Sequence, residues 1–193
     1  MADPVRILVV CIGNVCRSPL AEHLLRLRLA GYDGRLDVRS AGIRALAGHP
    51  MDDLAADELR RRGGDPSGFT ARQATPAILG EADLVLTATR AIRSRVLEEA
   101  PRALKRTFTL PELAAIVGSD GFLDPPATST ADLVARAASL RGAVTVADYD
   151  VPDPIGRPPE VHAAVADVVD AACAAIAWAV AAAEPGEPVG GVG

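Results

Sequence analysis

The sequence predicts a single α/β domain whose strands lie in a parallel sheet. Three observations lead there. Short, continuously apolar runs at 5–10 and 84–87 read as strands buried on both faces. Segments with helical spacing separate such runs, and this alternation implies right-handed crossovers in a parallel sheet. No internal repeat or break in composition marks a second domain, and 193 residues suit one.

Taken in order, residues 5–10 form the first strand, which stops at Cys11. Pro19 suits the first turn of a helix, where its missing N–H costs nothing. Leu20, Leu24 and Leu27 follow at helical spacing, with Glu22 and Arg26 facing outward. Residues 11–18 are therefore a loop between a buried strand and a helix N-terminus. Residues 36–40 read as a second strand, closed by Ala41-Gly42. Asp52 and Asp53 open the next helix, and Arg60, Arg61 and Arg62 form its solvated end, a charge order that suits the helix dipole. A loop at 65–68 precedes a third strand at 84–87, a helix at 91–99, a fourth strand at 107–110 and a short helix at 111–117. Gly, Ser, Asp, Pro and Thr make 118–130 a loop, with a helix near 131–141. Four prolines keep 149–159 out of any helix. The last helix covers 159–183, with Cys173 in the core and Trp178 as a packing residue. Residues 1–183 are expected to form the domain and 184–193 a flexible C-terminal tail.

Composition narrows the function. Hydrophobic residues make up 49% of the chain and aromatic ones only 3%, so the core must be built from Ala, Leu, Val and Ile. A formal charge of -5 with no long basic run argues against a nucleic-acid or anionic-membrane surface, but leaves room for a local cationic pocket. Three cysteines, two of them nearly adjacent, do not make a secreted disulfide framework. The apolar run before Cys11 is too short for a signal peptide. The Ala-rich run 171–183 is too short to span a bilayer. A cytoplasmic protein with no membrane partner is expected.

The string Cys11-Ile12-Gly13-Asn14-Val15-Cys16-Arg17-Ser18-Pro19 carries the chemistry. A helix N-terminus leaves backbone N–H groups unpaired, and its dipole favours negative charge. A loop feeding that terminus can curl the amides of Ile12, Gly13, Asn14, Val15, Cys16, Arg17 and Ser18 around a phosphate. Gly13 permits positive φ, and Asn14 tolerates the left-handed region. Arg17 supplies a planar fork for two phosphate oxygens. Cys11 faces the same point, and the amides, the dipole and Arg17 all favour its thiolate. The seven fixed positions of this string would arise by chance in fewer than roughly one such chain in a million. Strand, loop and helix are also the context that such a motif needs.

A thiolate expels an alkoxide or phenolate well only if the leaving oxygen gains a proton, a contribution of roughly 10²–10⁴-fold. The Pro-rich segment 150–156 is stiff enough to hold a carboxylate over the pocket, and it offers Asp150 and Asp153. No metal or cofactor is expected. His23, His49 and His162 are scattered, with no cysteine at zinc spacing, and His23 reads as an exposed helix position. The loop has no Lys for a Walker-type nucleotide site.

Cys-x-Gly-Asn-x-Cys-Arg-Ser-Pro after an N-terminal strand resembles the low-molecular-weight protein-tyrosine-phosphatase family. Ser40-Ala41-Gly42, Ala71-Arg72-Gln73 and Asp153-Pro154-x-Gly156 follow in the family's order. The resemblance implies a four-stranded parallel sheet flanked by helices and metal-independent hydrolysis of phosphomonoesters. By the same resemblance Cys11 is the nucleophile, Arg17 binds phosphate and stabilises the transition state, and Ser18 bonds the Cys11 thiolate. Asn14 holds the loop with Ser40 as a partner, and Asp153 is the general acid, with Asp150 as the other candidate. Arg72 carries over as a structural or pocket-side residue. Cys16 reads either as a small buried hydrophobe or, as the family implies, as a thiol that captures an oxidised Cys11 in a reversible disulfide. The expected substrate is a phosphorylated protein or a small phosphomonoester, and the product inorganic phosphate.

The chain also departs from the family pattern. Ile155 stands where many members have an aromatic residue, Phe69 where some have a His that orders the loop Asn, and Ala88 where a larger residue is common. The 118–150 stretch is longer than usual. Ile155 gives a phenyl ring no stacking partner, so a phosphatase for phosphoarginine or a small metabolite stays open. Ile12, where arginine-type relatives often carry Thr, leans away from phosphoarginine. Arsenate reduction through an external thiol is a further reading. A non-catalytic phosphate-binding module is the last, and binding alone would not call for Asp153 beside Cys11 and Arg17.

Overall fold

The computed structural model describes residues 3–32 and 34–184. Strands β1 (Val5–Cys11), β2 (Leu36–Gly42), β3 (Leu84–Thr87) and β4 (Thr107–Thr109) form one sheet in the order β2-β1-β3-β4. All three pairings are parallel. This is the four-stranded parallel sheet expected from the sequence. Residues Ile7 to Cys11 of β1 and all of β3 are buried, as strands covered on both faces must be.

Seven α-helices among the described residues flank the sheet: α1 (Arg17–Arg28), α2 (Asp53–Arg61), α3 (Pro76–Glu81), α4 (Arg90–Glu99), α5 (Leu110–Val117), α6 (Thr130–Ser139) and α7 (Pro159–Ala183). The unit β1–α1–β2 steps toward one edge of the sheet and β3–α4–β4 toward the other. Right-handed crossovers then put α1 and α4 on opposite faces. Helix α7 packs against α1, α2, α5 and α6. The strand order reverses between β1 and β3, and in such sheets the crevice beyond the strand C-termini at that point is where ligands bind. The β1–α1 loop stands there.

Local chemistry sets the helix starts. Asp52 caps α2 by accepting from the N–H groups of Leu54 and Ala55, Thr89 caps α4, and Thr109 with Glu112 forms a reciprocal capping box on α5. Helix α3 was not anticipated, because six residues are too few to show a period. Its signal is the pair Thr75-Pro76, a cap followed by a first-turn proline.

Other differences have equally physical reasons. Strand β1 runs through Cys11 and β2 through Gly42, one and two residues beyond expectation, because their pairing continues to the register Cys11 opposite Gly42. Helix α1 starts at Arg17, ahead of Pro19. It packs on both β2 and α7, so more than one stripe is covered. Glu22, expected outside, is buried, whereas Leu27 is 44% exposed. Trp178, expected to pack, is 63% exposed. The buried stripe of α7 runs through Val165, Val169, Ala172 and Ile176, and at helical geometry Trp178 falls on the far side. Arg62 does not end in solvent but joins Glu58 to Asp167, tying α2 to α7.

Helix α7 is long and apolar enough to cross a membrane by length and composition, and half of its apolar window is buried inside this fold. Glu184, assigned to the tail, is docked: its carboxylate accepts from the Thr130 N–H at 3.0 Å and the Thr130 hydroxyl at 2.6 Å. Residues 185–193 of the expected tail lie outside the described residues.

Phe108 fills the β4 edge of the core, fully buried, with the Arg141 guanidinium 4.4 Å from its ring centroid. Phe108→Ala is expected to lower stability by about 3–5 kcal/mol, measured by urea denaturation.

Candidate active site

The loop is built on the end of β1. Cys11 is its last residue, buried to 2% exposure, and sits opposite Gly42. The left-handed position is Asn14, at φ 56°, and not Gly13. Asparagine tolerates that region, and here its side chain is also used. Gly42 allows the loop to lie on the end of β2: a Cβ there would stand 2.4 Å from the Ile12 carbonyl oxygen and 2.9 Å from Asn14 N. The first α1 bond runs from Leu20 N–H to Cys16 C=O. The amides before it precede the helical ladder, where the dipole is positive.

Asn14 is fully buried and anchors the loop through every polar group of its side chain. Its Nδ2 donates to Ser18 Oγ at 2.9 Å and to Ser40 Oγ at 2.8 Å, and its Oδ1 accepts from Arg72 N–H at 2.8 Å. Ser40 Oγ donates onward to Glu22 Oε2 at 2.6 Å. Ser18 Oγ lies 2.9 Å from Cys11 Sγ and 3.5 Å from the Ala41 carbonyl, and toward a Cys11 thiolate its hydroxyl is the donor. Asn14 N–H points at the same sulfur from 3.3 Å. One amide thus starts two donor chains, one ending on the Cys11 sulfur and one on a buried carboxylate. Aligned bonds of this kind polarise one another.

Arg17 is almost fully buried. Its NH1 donates to the Val151 carbonyl at 3.1 Å, and its NH2 meets Asp153 Oδ2 at 2.8 Å. Its Nε is buried with no hydrogen-bond partner among the described residues. An unpaired buried donor is costly, and at the mouth of this loop a ligand oxygen would relieve it. Asp153 Oδ1 accepts from the Ile155 N–H at 3.3 Å. Asp150, the other acid candidate, is turned away and accepts from Arg90 N–H at the start of α4 at 2.7 Å. The structure therefore brings Cys11, Asn14, Arg17, Ser18, Ser40 and Asp153 into one constellation and leaves Asp150 outside it.

Three contributors were not read from the sequence in these roles, and a fourth, Arg72, was expected only as a structural or pocket-side residue. Glu22 was placed on the outer face of α1. The Val151 carbonyl has no side-chain signature. Arg72 turns out to hold the loop twice, by its N–H on Asn14 and by Nε on the Ser40 carbonyl at 2.7 Å. Gly42 was read as a strand stop, although Ser40-Ala41-Gly42 already carried the signal. Phe69, in place of an ordering His, packs edge-on against His23 with ring centroids 5.9 Å apart. His23 is half-buried there rather than exposed, and burial pulls its pKa below the ordinary value. Cys16 and Cys173 are buried free thiols. Burial pushes the Cys16 thiol up, with the Asp52 charge adding to it, and burial does the same at Cys173.

Beside Ile12 the surface opens into a groove of about 630 Å³, lined by Ile43, Ala74, Ile92 and Val96 with Arg44 and Arg95 among its polar residues. Ile155 is 49% exposed.

A thiol on the strand end at the switch point of a parallel sheet, with a buried arginine and a carboxylate paired across the loop, defines an α/β enzyme of the cysteine-phosphatase class. The family model described as low molecular weight phosphotyrosine protein phosphatase matches residues 6–134, and the chain belongs to this family. The "Probable low molecular weight protein-tyrosine-phosphatase EpsP" of Ralstonia nicotianae is 41% identical over 107 residues, covering 55% of this chain and 71% of the relative. Among solved structures, Vibrio vulnificus Wzb in complex with benzylphosphonate is 26% identical with a TM-score of 0.67, covering 90% of this chain and 97% of that one. The YwlE arginine phosphatase from Geobacillus stearothermophilus is 28% identical with a TM-score of 0.68, covering 91% and 92%. The family match ends before segment 150–156, so the place of Asp153 in the site comes from the fold.

Gly42→Ala is expected to push the Ile12–Asn14 backbone off the β2 end and to lower phosphatase turnover at least about tenfold. Its cost in stability should be about 1–3 kcal/mol, as for overpacking against atoms that must shift. Steady-state kinetics and thermal denaturation read the two effects.

Proposed function

We propose that the chain hydrolyses phosphotyrosine in proteins by a two-step reaction through a phosphocysteine on Cys11. The observation that carries this reading is the state of Arg17: two of its nitrogens are held by Val151 and Asp153, and the third is buried with no partner among the described residues. A phosphate oxygen at Nε would satisfy it, and a second oxygen would take NH2 from Asp153. The displaced carboxyl then lies beside the leaving oxygen. The fork, the loop amides and the α1 dipole stabilise the equatorial oxygens.

In the first step Cys11 attacks phosphorus in line. The S–P bond forms, the P–O bond to the leaving group breaks, and Asp153 gives its proton to the departing oxygen. In the second step Asp153 takes a proton from water, the water oxygen attacks phosphorus, and the S–P bond breaks. Inorganic phosphate leaves, and Cys11 returns as a thiolate held by Ser18 and Asn14 N–H. Asn14, Ser18 and Ser40 act by positioning, as the hydrogen bonds to Cys11 and within the loop support. On this reading residues 1–183 act as one catalytic domain in the cytoplasm.

Phosphotyrosine is favoured by the names of the relatives and by the benzylphosphonate, a phenyl ring one carbon from phosphorus, carried by the Vibrio neighbour. A second reading, phosphoarginine, has one observation in its favour: the exposed side chain after Asp153-Pro154 is aliphatic Ile155, which offers no ring to stack on a phenyl group. The arginine-phosphatase neighbour shares the fold at similar likeness. A panel of phosphotyrosine peptide, phosphoarginine and sugar phosphate, assayed with EDTA, separates them. A kcat/KM for phosphoarginine above that for phosphotyrosine would favour the second reading.

Cys11→Ser should lower kcat by at least about 10³-fold while retaining oxyanion binding, followed by phosphate titration; normal turnover in this variant ends the proposal. Asp153→Ala should slow phenyl phosphate by about 10²–10⁴-fold and p-nitrophenyl phosphate, with its better leaving group, much less. Equal loss on both would move the acid elsewhere.

A further inference from the structure

The fold gathers three side chains that the sequence keeps far apart. Cys16 precedes α1, Asp52 caps α2, and His162 lies in the first turn of α7. One ligand atom from each, a thiol sulfur, a carboxylate oxygen and an imidazole nitrogen, all lie within 4.8 Å of one another. His162 Nδ1 is 3.7 Å from Asp52 Oδ1. We infer that Cys16, Asp52 and His162 form a binding site for a zinc-type divalent cation behind the catalytic loop.

The geometry is close to what such an ion needs. With sulfur at about 2.3 Å and nitrogen or oxygen at about 2.0 Å in a tetrahedron, ligand atoms sit roughly 3.3–3.6 Å apart. The three groups would close by a distance on the order of 1 Å. A thiolate and a carboxylate balance a divalent charge, and sulfur with imidazole selects zinc over magnesium or calcium. Cys16 and His162 are each 3% exposed, while the Asp52 side chain is 29% exposed and gives the ion a way in. Three protein ligands leave a fourth position for water.

The site would join three elements at the floor of the loop. Asp52 N–H already donates to the Val15 carbonyl at 2.8 Å, next to Cys16. Its Oδ1, the oxygen that faces His162 Nδ1, also accepts the two capping N–H groups of α2, so an ion would share that carboxylate with the cap. Cys16 gives its N–H to the proposed anion cradle, but none of the three side chains takes part in the proposed chemistry, so zinc binding is read out separately from turnover.

The test uses the full chain, metal-free and reduced with a phosphine. Zinc is titrated against a chromophoric chelator, and cobalt(II) is added separately to look for a near-ultraviolet thiolate-to-cobalt charge-transfer band. The expected result is one equivalent bound by the parent, with the cobalt band present and thermal stability raised. Cys11→Ser should keep all three properties. Cys16→Ser should lose the band, and Cys16→Ser, His162→Gln and Asp52→Asn, which keeps a capping oxygen on α2, should each weaken zinc at least about tenfold. Circular dichroism verifies folding, and His162→Asn stands in if His162→Gln does not fold. Parent-like zinc affinity in both the Cys16 and His162 variants overturns the proposal. So does loss of binding in Cys11→Ser, which would put the ion on the nucleophile, or failure of the parent to bind zinc at micromolar concentration.

Discussion

The catalytic loop depends on one buried amide. Asn14 takes a left-handed backbone and then uses its side chain to tie down the three segments around it: Ser18 on α1, Ser40 on β2 and Arg72 beyond α2. Without those bonds a left-handed non-glycine residue costs free energy with no return. With them the loop has one shape, and its own N–H and the Ser18 hydroxyl both converge on the Cys11 sulfur. The second donor chain, through Ser40 to Glu22, explains why a carboxylate is buried on α1: it is the acceptor that lets Ser40 be an acceptor for Asn14.

The sheet decides where this loop stands. Because β1 lies between β2 and β3, its C-terminal end opens at the reversal of strand order, beside the first turn of α1. Arg17 in that turn is then close enough to the 150–156 segment for Val151 and Asp153 to hold two of its nitrogens. The two side chains to which the proposal gives the acid and the phosphate-binding roles are thus assembled in contact from positions far apart in the chain. On the proposed reading, substrate entry needs only an exchange of partners on a guanidinium that Val151 already holds.

Much of this could be read from the residues, and the reasons differ by element. The loop was legible because a strand end, a cysteine, turn-forming residues and an arginine occur in one unbroken string. The sheet was legible because its strands are short apolar runs. Features set by packing from two sides were not. Glu22 looked like an outward helix position because a single-stripe pattern ignores the second neighbour of α1, and Trp178 looked like core because its residue type outweighed its phase on α7. Asp153 could be told from Asp150 only by resemblance until the fold turned one toward Arg17 and the other toward Arg90. The meeting of Cys16, Asp52 and His162 was invisible for the same reason: no local spacing encodes it.

The most direct test of the account is a crystal structure with phosphate or vanadate bound. The account predicts the anion within hydrogen-bond distance of Arg17 Nε, enclosed by the amides of residues 12–18 and in line with Cys11 Sγ, with Asp153 released from NH2. An anion seated elsewhere, or one that leaves Arg17 Nε unpaired and the Arg17–Asp153 contact intact, would contradict it.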